Sequence, residues 1–218
     1  SNFLSGTSGN LITIDSDVGA TQWTLSKASG QVVSDYVAMN RSNATGGASF
    51  FLGANSPATG STGWVIDNTA PPNPATFNGY SNSGKTMPIS TGNFYNYANP
   101  HFEWDGATDT QSGVAGYYVY FGTDDTADPL TAGTFQTGVS YTSSSLSTSD
   151  TYYFRLRTKD NAYNLSAAQT YFTYKFDSVN PNPPSFIAAS PSGYTSTNNF
   201  SFSWPAATDP APEQSGIA

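Results

Sequence analysis

The sequence predicts an all-β fold made of antiparallel β-sandwiches that follow one another along the chain and are joined by proline-rich linkers. Three observations support this prediction. Short segments alternate apolar and polar residues with the period of a β-strand. Clusters of Gly, Asn, Asp and Ser separate these segments, as in proteins built from many short strands. The third observation is an internal repeat in the second half of the chain.

The composition argues against helices and against several classes of partner. Charged residues make up 10% of the chain, and glutamate occurs only at Glu103 and Glu213. The seven basic residues are scattered and the net charge is −8, so no nucleic-acid partner is expected, because phosphate binding needs clustered basic residues. There is no cysteine, and no apolar run approaches the roughly 20 residues of a membrane helix. No membrane insertion is therefore predicted.

The repeat gives the organisation of the chain. A Phe-x-Trp segment followed by Ala-Thr-Asp occupies residues 102–109 and returns at residues 202–209. A Gln-Ser-Gly segment follows each copy, and a proline-rich segment that starts at Asp67 or at Asp177 precedes each copy. Proline cannot continue a sheet ladder, so these segments are expected to be linkers. They predict a small or incomplete sandwich at residues 1–68, a complete module at 69–178 and the first strands of a further, truncated module at 179–218.

The strands of the middle segment have a predicted inner face. In the strand at residues 151–158, Tyr152, Phe154 and Leu156 alternate with polar neighbours and are expected to point inward. The same period places Phe102 and Trp104 inside and Glu103 outside.

This middle segment resembles a bacterial fibronectin type III-like or immunoglobulin-like module. The matching pieces are the Asp-Asn-Thr-Ala-Pro linker at 67–71, Trp104, residues 108–117, Leu146 six residues before Tyr152, and residues 159–166. The resemblance implies a tyrosine corner, in which the Tyr152 hydroxyl bonds nearby backbone. It also implies an extracellular or cell-surface location. The family often has glycine where Tyr163 stands.

A calcium site is one interpretation of the acidic loops. In a sandwich of this kind the entry linker, the loop after Trp104 and the loop after Lys159 lie at one end. Asp67, Asp109, Asp160 and Asn161 would therefore meet, with Asn164 near them, and calcium binds six to eight such oxygens. The alternative is that these side chains hydrogen-bond their own loops. No cofactor is required in either interpretation.

A ligand-binding surface is the second interpretation. Four aromatic residues lie in a long insertion between the first two strands of the module, where they could stack on sugar rings: Tyr80, Phe94, Tyr95 and Tyr97. The alternative is that the insertion folds back and these rings complete the core.

The predicted function is structural, because no catalytic arrangement is visible. The chain has one histidine, His101, and no facing pair of acids for glycoside hydrolysis. We expect a non-catalytic spacer, stalk or adhesive module array of a bacterial cell-surface or appendage protein. Two alternatives remain: a subunit of an extracellular filament whose incomplete end modules are completed by neighbouring chains, and an accessory module of a secreted polysaccharide-degrading enzyme. The expected partners are neighbouring modules or chains, cell-surface glycans, and host or matrix proteins.

Overall fold

The computed structural model describes residues 2–196, 198–211 and 215–217, and their regular structure is almost entirely β, which confirms the predicted all-β class. The one helix in these ranges is α1 (Pro129–Ala132). Among the described residues no helix is long and apolar enough to cross a membrane. Gln214 and Ala218, which belong to the repeated segment, lie outside the described residues.

The first nine strands form three parallel sheets. Their bounds are β1 (Asn2–Ser5), β2 (Ile12–Ile14), β3 (Trp23–Lys27), β4 (Gln31–Asp35), β5 (Val37–Asn40), β6 (Ser42–Gly46), β7 (Ser49–Leu52), β8 (Ala58–Thr59) and β9 (Val65–Ile66). The sheets have the orders β1-β4-β7-β9, β2-β5-β8 and β3-β6, and every pairing is parallel. The chain visits the three sheets in turn, so successive coils lie on one another, as in a parallel β-helix. We call residues 2–66 the coil stack.

The coil stack differs from the small or incomplete antiparallel sandwich expected at residues 1–68. Val32 and Val33 of β4 lie directly beside Phe50 and Phe51 of the next coil, and all four are buried. The glycine-rich turns between these strands are the corners of the coils. At one such corner Gly46 has a φ of 101° and contacts the Lys27 carbonyl oxygen so closely that a Cβ would collide with it. A glycine-rich turn has the same composition in a hairpin and in a coil corner, so composition did not separate the two.

Residues 77–176 form two sheets that pack face to face and are antiparallel except at one pairing. Their strands are β10 (Phe77–Tyr80), β11 (Pro88–Ile89), β12 (Phe94–Tyr95), β13 (His101–Trp104), β14 (Val114–Gly122), β15 (Thr134–Gln136), β16 (Ser140–Thr142), β17 (Asp150–Asp160) and β18 (Gln169–Phe176). One sheet has the order β11-β10-β13-β16, and the other has the order β12-β18-β17-β14-β15. The pairing of β12 with β18 is the one parallel pairing among them. We call residues 77–176 the two-sheet unit.

The core of the two-sheet unit follows the predicted inner face. Phe102 and Trp104 from one sheet and Phe154 and Leu156 from the other are buried in one apolar cluster. The Tyr152 hydroxyl donates to the Thr148 carbonyl at 2.9 Å, which confirms the expected bond to nearby backbone. The long insertion contributes β11 to one sheet and β12 to the other, so it closes one edge of the unit.

The last described strands form an exposed hairpin. Strand β19 (Ala188–Ser190) pairs antiparallel with β20 (Ser201–Ser203). Phe202 and Trp204, the repeat counterparts of two core residues, are 61% and 59% exposed.

Candidate metal centre

Three carboxylates meet where the coil stack joins the two-sheet unit. Asp67 directly follows β9, Asp109 lies in the loop between β13 and β14, and Asp160 is the last residue of β17. One carboxylate oxygen from each of the three lies within 4.8 Å of the other two. The structure therefore brings together three of the four residues that the sequence suggested as metal ligands.

Asp67 is fully buried, and one of its oxygens has no hydrogen-bond donor in the described part of the chain. Its backbone amide donates to the Leu52 carbonyl at 3.0 Å, which extends the pairing of β9 with β7 by one residue. Oδ1 accepts the Thr69 amide at 3.0 Å, whereas no donor among the described residues reaches the buried Oδ2. Burying a carboxylate oxygen in this way is unfavourable unless something else compensates its charge.

Asp109 is held by the backbone of its own loop. Its Oδ1 accepts the amides of Gln111, Ser112 and Gly113 at 3.1, 2.8 and 2.7 Å. Gly113 has a φ of 77°, a left-handed conformation that glycine adopts readily. Because these bonds all go to Oδ1, the loop fixes the carboxylate and leaves Oδ2 available for another partner.

Asp160 is fully buried and is oriented by Asn164. The Asn164 backbone amide donates to Oδ1 at 2.7 Å, and its side-chain Nδ2 donates to Oδ2 at 2.8 Å. The same Nδ2 donates to the Asp67 carbonyl oxygen at 3.0 Å. Burial raises the pKa of Asp160, and the charges of Asp67 and Asp109 raise it further, although the bonds from Asn164 act in the opposite direction.

Within the described ranges, none of the three aspartates forms an ion pair with Lys, Arg or His. Lys159 precedes Asp160, but its ammonium lies 3.7 Å from the centre of the Tyr163 ring. Burial lowers the pKa of Lys159, although the charge of Asp160 acts in the opposite direction. Three acids that offer only oxygen ligands, and that form no ion pair among the described residues, are suited to a hard metal ion.

The contacts of Asn161 and Ser112 differ from those that the sequence analysis predicts. Asn161, suggested as a ligand, uses its Nδ2 to donate to the carbonyls of Ser112 and Gly113 at 2.8 and 3.1 Å. It therefore holds the Asp109 loop against the end of β17. Ser112 was not suggested as a site residue, yet its buried hydroxyl has no partner among the described residues. The sequence does contain a signal for this residue, because the repeat has a serine after each aspartate: Ser112 follows Asp109, and Ser215 follows Asp209.

The four aromatic residues suggested for ligand binding are distributed over two places. Tyr95 stacks on Tyr97 and on Tyr174 of the core, and its hydroxyl accepts the Ser90 amide at 2.8 Å. Tyr80 lies near His101, and the Lys85 ammonium is 5.8 Å from the centre of its ring.

Phe94 has the Lys175 ammonium 4.9 Å from its ring centre. Together with Tyr95 and Tyr97 it lines an open groove beside Asp177 and Ser215. Tyr80 does not line this groove, so the four rings do not form one surface.

The comparisons with known proteins give no match: no family model, no curated protein and no solved structure is similar to this chain.

Proposed function

We propose that this chain is a non-catalytic spacer of an extracellular surface protein, in which the coil stack and the two-sheet unit act as one rigid segment. The observation that carries the proposal is the buried contact between the two units. Val33 and Phe51 of the coil stack pack on Ala162, which lies in the loop after β17, and all three are buried. Gly53 lies so close to the Ala162 carbonyl oxygen that an added Cβ would be 3.2 Å from it.

The linker between the units supports the proposal because Asn73 and Pro74 are hydrogen-bonded to the two-sheet unit. Asn73 Oδ1 accepts the Thr158 amide at 3.1 Å and the Ser166 hydroxyl at 2.5 Å, and Asn73 Nδ2 donates to the Ala167 carbonyl at 2.8 Å. The Tyr171 hydroxyl donates to the Pro74 carbonyl at 2.6 Å. Proline also restricts the backbone, so the linker has little freedom to act as a hinge.

The resemblance to fibronectin type III-like modules also supports an extracellular role. The order of strands in the two sheets and the Tyr152 hydroxyl bond agree with that architecture. Modules of this class occur as tandem arrays, and the repeated Asp177 linker and aromatic strand fit such an array.

Small-angle scattering tests whether the connection is rigid. The matched variant carries a Gly-Ser-Gly-Ser insertion between Thr69 and Ala70, and its control carries the same insertion in the exposed turn between Asp124 and Asp125. We expect the original chain and the control to fit one arrangement of the two units, and the linker variant to need a broad ensemble. A broad ensemble for the original chain would contradict the proposal.

A filament subunit is the second candidate function, and the exposed aromatic face of the β19–β20 hairpin favours it. Phe202 and Trp204 have buried counterparts in the two-sheet unit, so a sheet from a neighbouring chain could cover them. Light scattering across a range of protein concentrations separates the two candidates. A mass that grows with concentration and returns to one chain in Trp204→Ser supports the filament, whereas a constant single-chain mass supports the spacer.

A further inference from the structure

We propose that Asp67, Asp109 and Asp160 bind a calcium ion that fastens the coil stack to the two-sheet unit. Asp67 continues the last strand of the coil stack, whereas Asp109 and Asp160 belong to two loops of the two-sheet unit. An ion shared by the three carboxylates adds a further connection to the linker, the Ala162 contact and the Asn164 bond to the Asp67 carbonyl. This inference goes beyond the proposed spacer function by giving the spacer a calcium site.

Two independent observations carry the proposal. The first is the convergence of one oxygen from each carboxylate within 4.8 Å. The second is the buried Oδ2 of Asp67, which no donor among the described residues reaches, although buried polar atoms are nearly always hydrogen-bonded. A cation at the cluster satisfies this oxygen and also compensates three like charges that form no ion pair with a basic side chain of the described residues.

The ligand set selects the class of ion. All three side chains offer oxygen only, which suits hard cations rather than zinc or copper. Calcium binds six to eight oxygens at about 2.3–2.6 Å, so two oxygens on one ion are separated by at most about 5 Å. The spacing of the three carboxylates falls within that limit. Magnesium is smaller, prefers strict octahedral geometry and retains its water, so it fits a flexible set of carboxylates less well.

The carboxylates are already oriented before an ion binds. The Thr69 amide holds Asp67, the loop amides hold Asp109, and Asn164 holds Asp160. Such outer partners orient metal ligands and lower the cost of assembling the site. Backbone carbonyls and water can supply the remaining calcium ligands, as they do in other calcium sites.

Calorimetric titration of the chelator-treated full chain with calcium chloride tests the proposal. We expect one site with a dissociation constant of about 10⁻⁴–10⁻³ M, the range of extracellular modules. In 10 mM calcium chloride the melting temperature should rise by roughly 3–10 °C, because an ion that binds only the folded state stabilises it. The same concentration of magnesium chloride should give a smaller rise. No binding heat, or an equal rise with magnesium, would overturn the calcium assignment.

Asp67→Asn is the decisive variant because we expect it to preserve the fold. The amide retains an oxygen to accept the Thr69 amide and offers hydrogens to the neighbouring carboxylates. We expect it to melt at the same or a higher temperature without calcium and to bind calcium at least 10-fold more weakly. Asp109→Asn, which keeps an oxygen for its loop amides, should also lose affinity.

Asp125→Asn is the charge-matched control, because it removes one exposed carboxylate away from the cluster. It should bind calcium like the original chain. Unchanged affinity in both cluster variants, or equal loss in the control, would show adsorption to the acidic surface and overturn the proposal. The scattering test of the rigid connection is done in chelator, so the two proposals can fail separately.

Discussion

The two proline-rich junctions, one at Asp67 and one at Asp177, have the same local structure. Asp67 Oδ1 accepts the amide two residues later at 3.0 Å, and Asp177 Oδ1 accepts the amide of Val179 at 3.0 Å. The aspartates after the aromatic strands agree as well. Asp109 accepts the Gly113 amide at 2.7 Å, and Asp209 accepts the Gly216 amide at 2.6 Å. Both glycines have positive φ, 77° and 88°.

The surroundings of the two junctions differ. Phe102 is completely buried against the second sheet, whereas its counterpart Phe202 is 61% exposed. Asp67 Oδ2 belongs to the cluster of three acids and has no donor among the described residues, whereas Asp177 Oδ2 accepts the Ser215 amide at 3.2 Å. The comparison teaches that short-range sequence determines the turns. Burial and the assembly of the acidic cluster depend on segments far away in sequence, here the strand that carries Phe154 and the loop that follows Asp160.

Truncating the paired phenylalanines should give the largest difference between the two junctions. Phe102→Ala removes a ring that packs on Phe154, Phe121 and Phe172, so we expect a loss of about 3–5 kcal/mol in the free energy of unfolding. Phe202→Ala should change it by less than about 0.5 kcal/mol, because the ring is mostly in solvent. Urea unfolding followed by tryptophan fluorescence measures both. Equal losses would mean that the hairpin is covered in solution.

The pH dependence of stability should distinguish the two acidic sites in chelator. The pKa of Asp160 is raised, chiefly by burial. As pH rises, the unfolded chain therefore loses this proton before the folded chain does, and the free energy of unfolding decreases. The stability contributed by the protonated group is thus lost as pH rises through the folded pKa. The free energy of unfolding of Asp160→Asn, taken relative to that of the original chain, should therefore increase as pH rises from about 4 to neutrality.

Asp177 should show the opposite sign. The Val179 amide is the main cause of its lowered pKa, so its contribution is present above the ordinary carboxyl pKa and is lost as pH falls. Asp177→Asn should therefore lose stability relative to the original chain as pH rises from about 3 to 5. Melting curves of the two variants and the original chain from pH 3 to 7 provide the measurement. Difference curves that do not change with pH would contradict both assignments.

Much of the two-sheet unit could be predicted from its sequence, because its signals are local. Alternation identified Phe154 and Leu156 as core residues, and the loop positions of Asp67, Asp109 and Asp160 implied that they meet. The role of Asn161 could not be predicted, because an amide side chain can bind a metal or a carbonyl equally well. Only the packed structure determines which partner it contacts.

The coil stack could not be predicted from alternation alone. The strands that carry most of its core are three to five residues long. Alternation of apolar and polar residues over so few positions does not distinguish parallel from antiparallel pairing. The usable signal was the return of similar short segments one coil later. Val32 and Val33 are aligned with Phe50 and Phe51, and Ser42 and Ser61 occupy neighbouring coils, with a bond between them at 3.1 Å.

The smallest predicted effect concerns Tyr163, in the loop that carries Ala162 and Asn164 to the first junction. Tyr163 has a φ of 72°, in the region that costs an L-residue about 1–2 kcal/mol and glycine almost nothing. Tyr163→Gly and Tyr163→Ala both remove the ring that contacts Lys159, so the difference between them isolates the backbone. We expect the glycine variant to be more stable by about 1 kcal/mol, despite the greater freedom of glycine in the unfolded chain. Paired urea unfolding curves measure this difference. An alanine variant of equal or higher stability would mean that the loop adopts another conformation, and the Ala162 contact and the Asn164 bonds to Asp160 would then have to be reconsidered together.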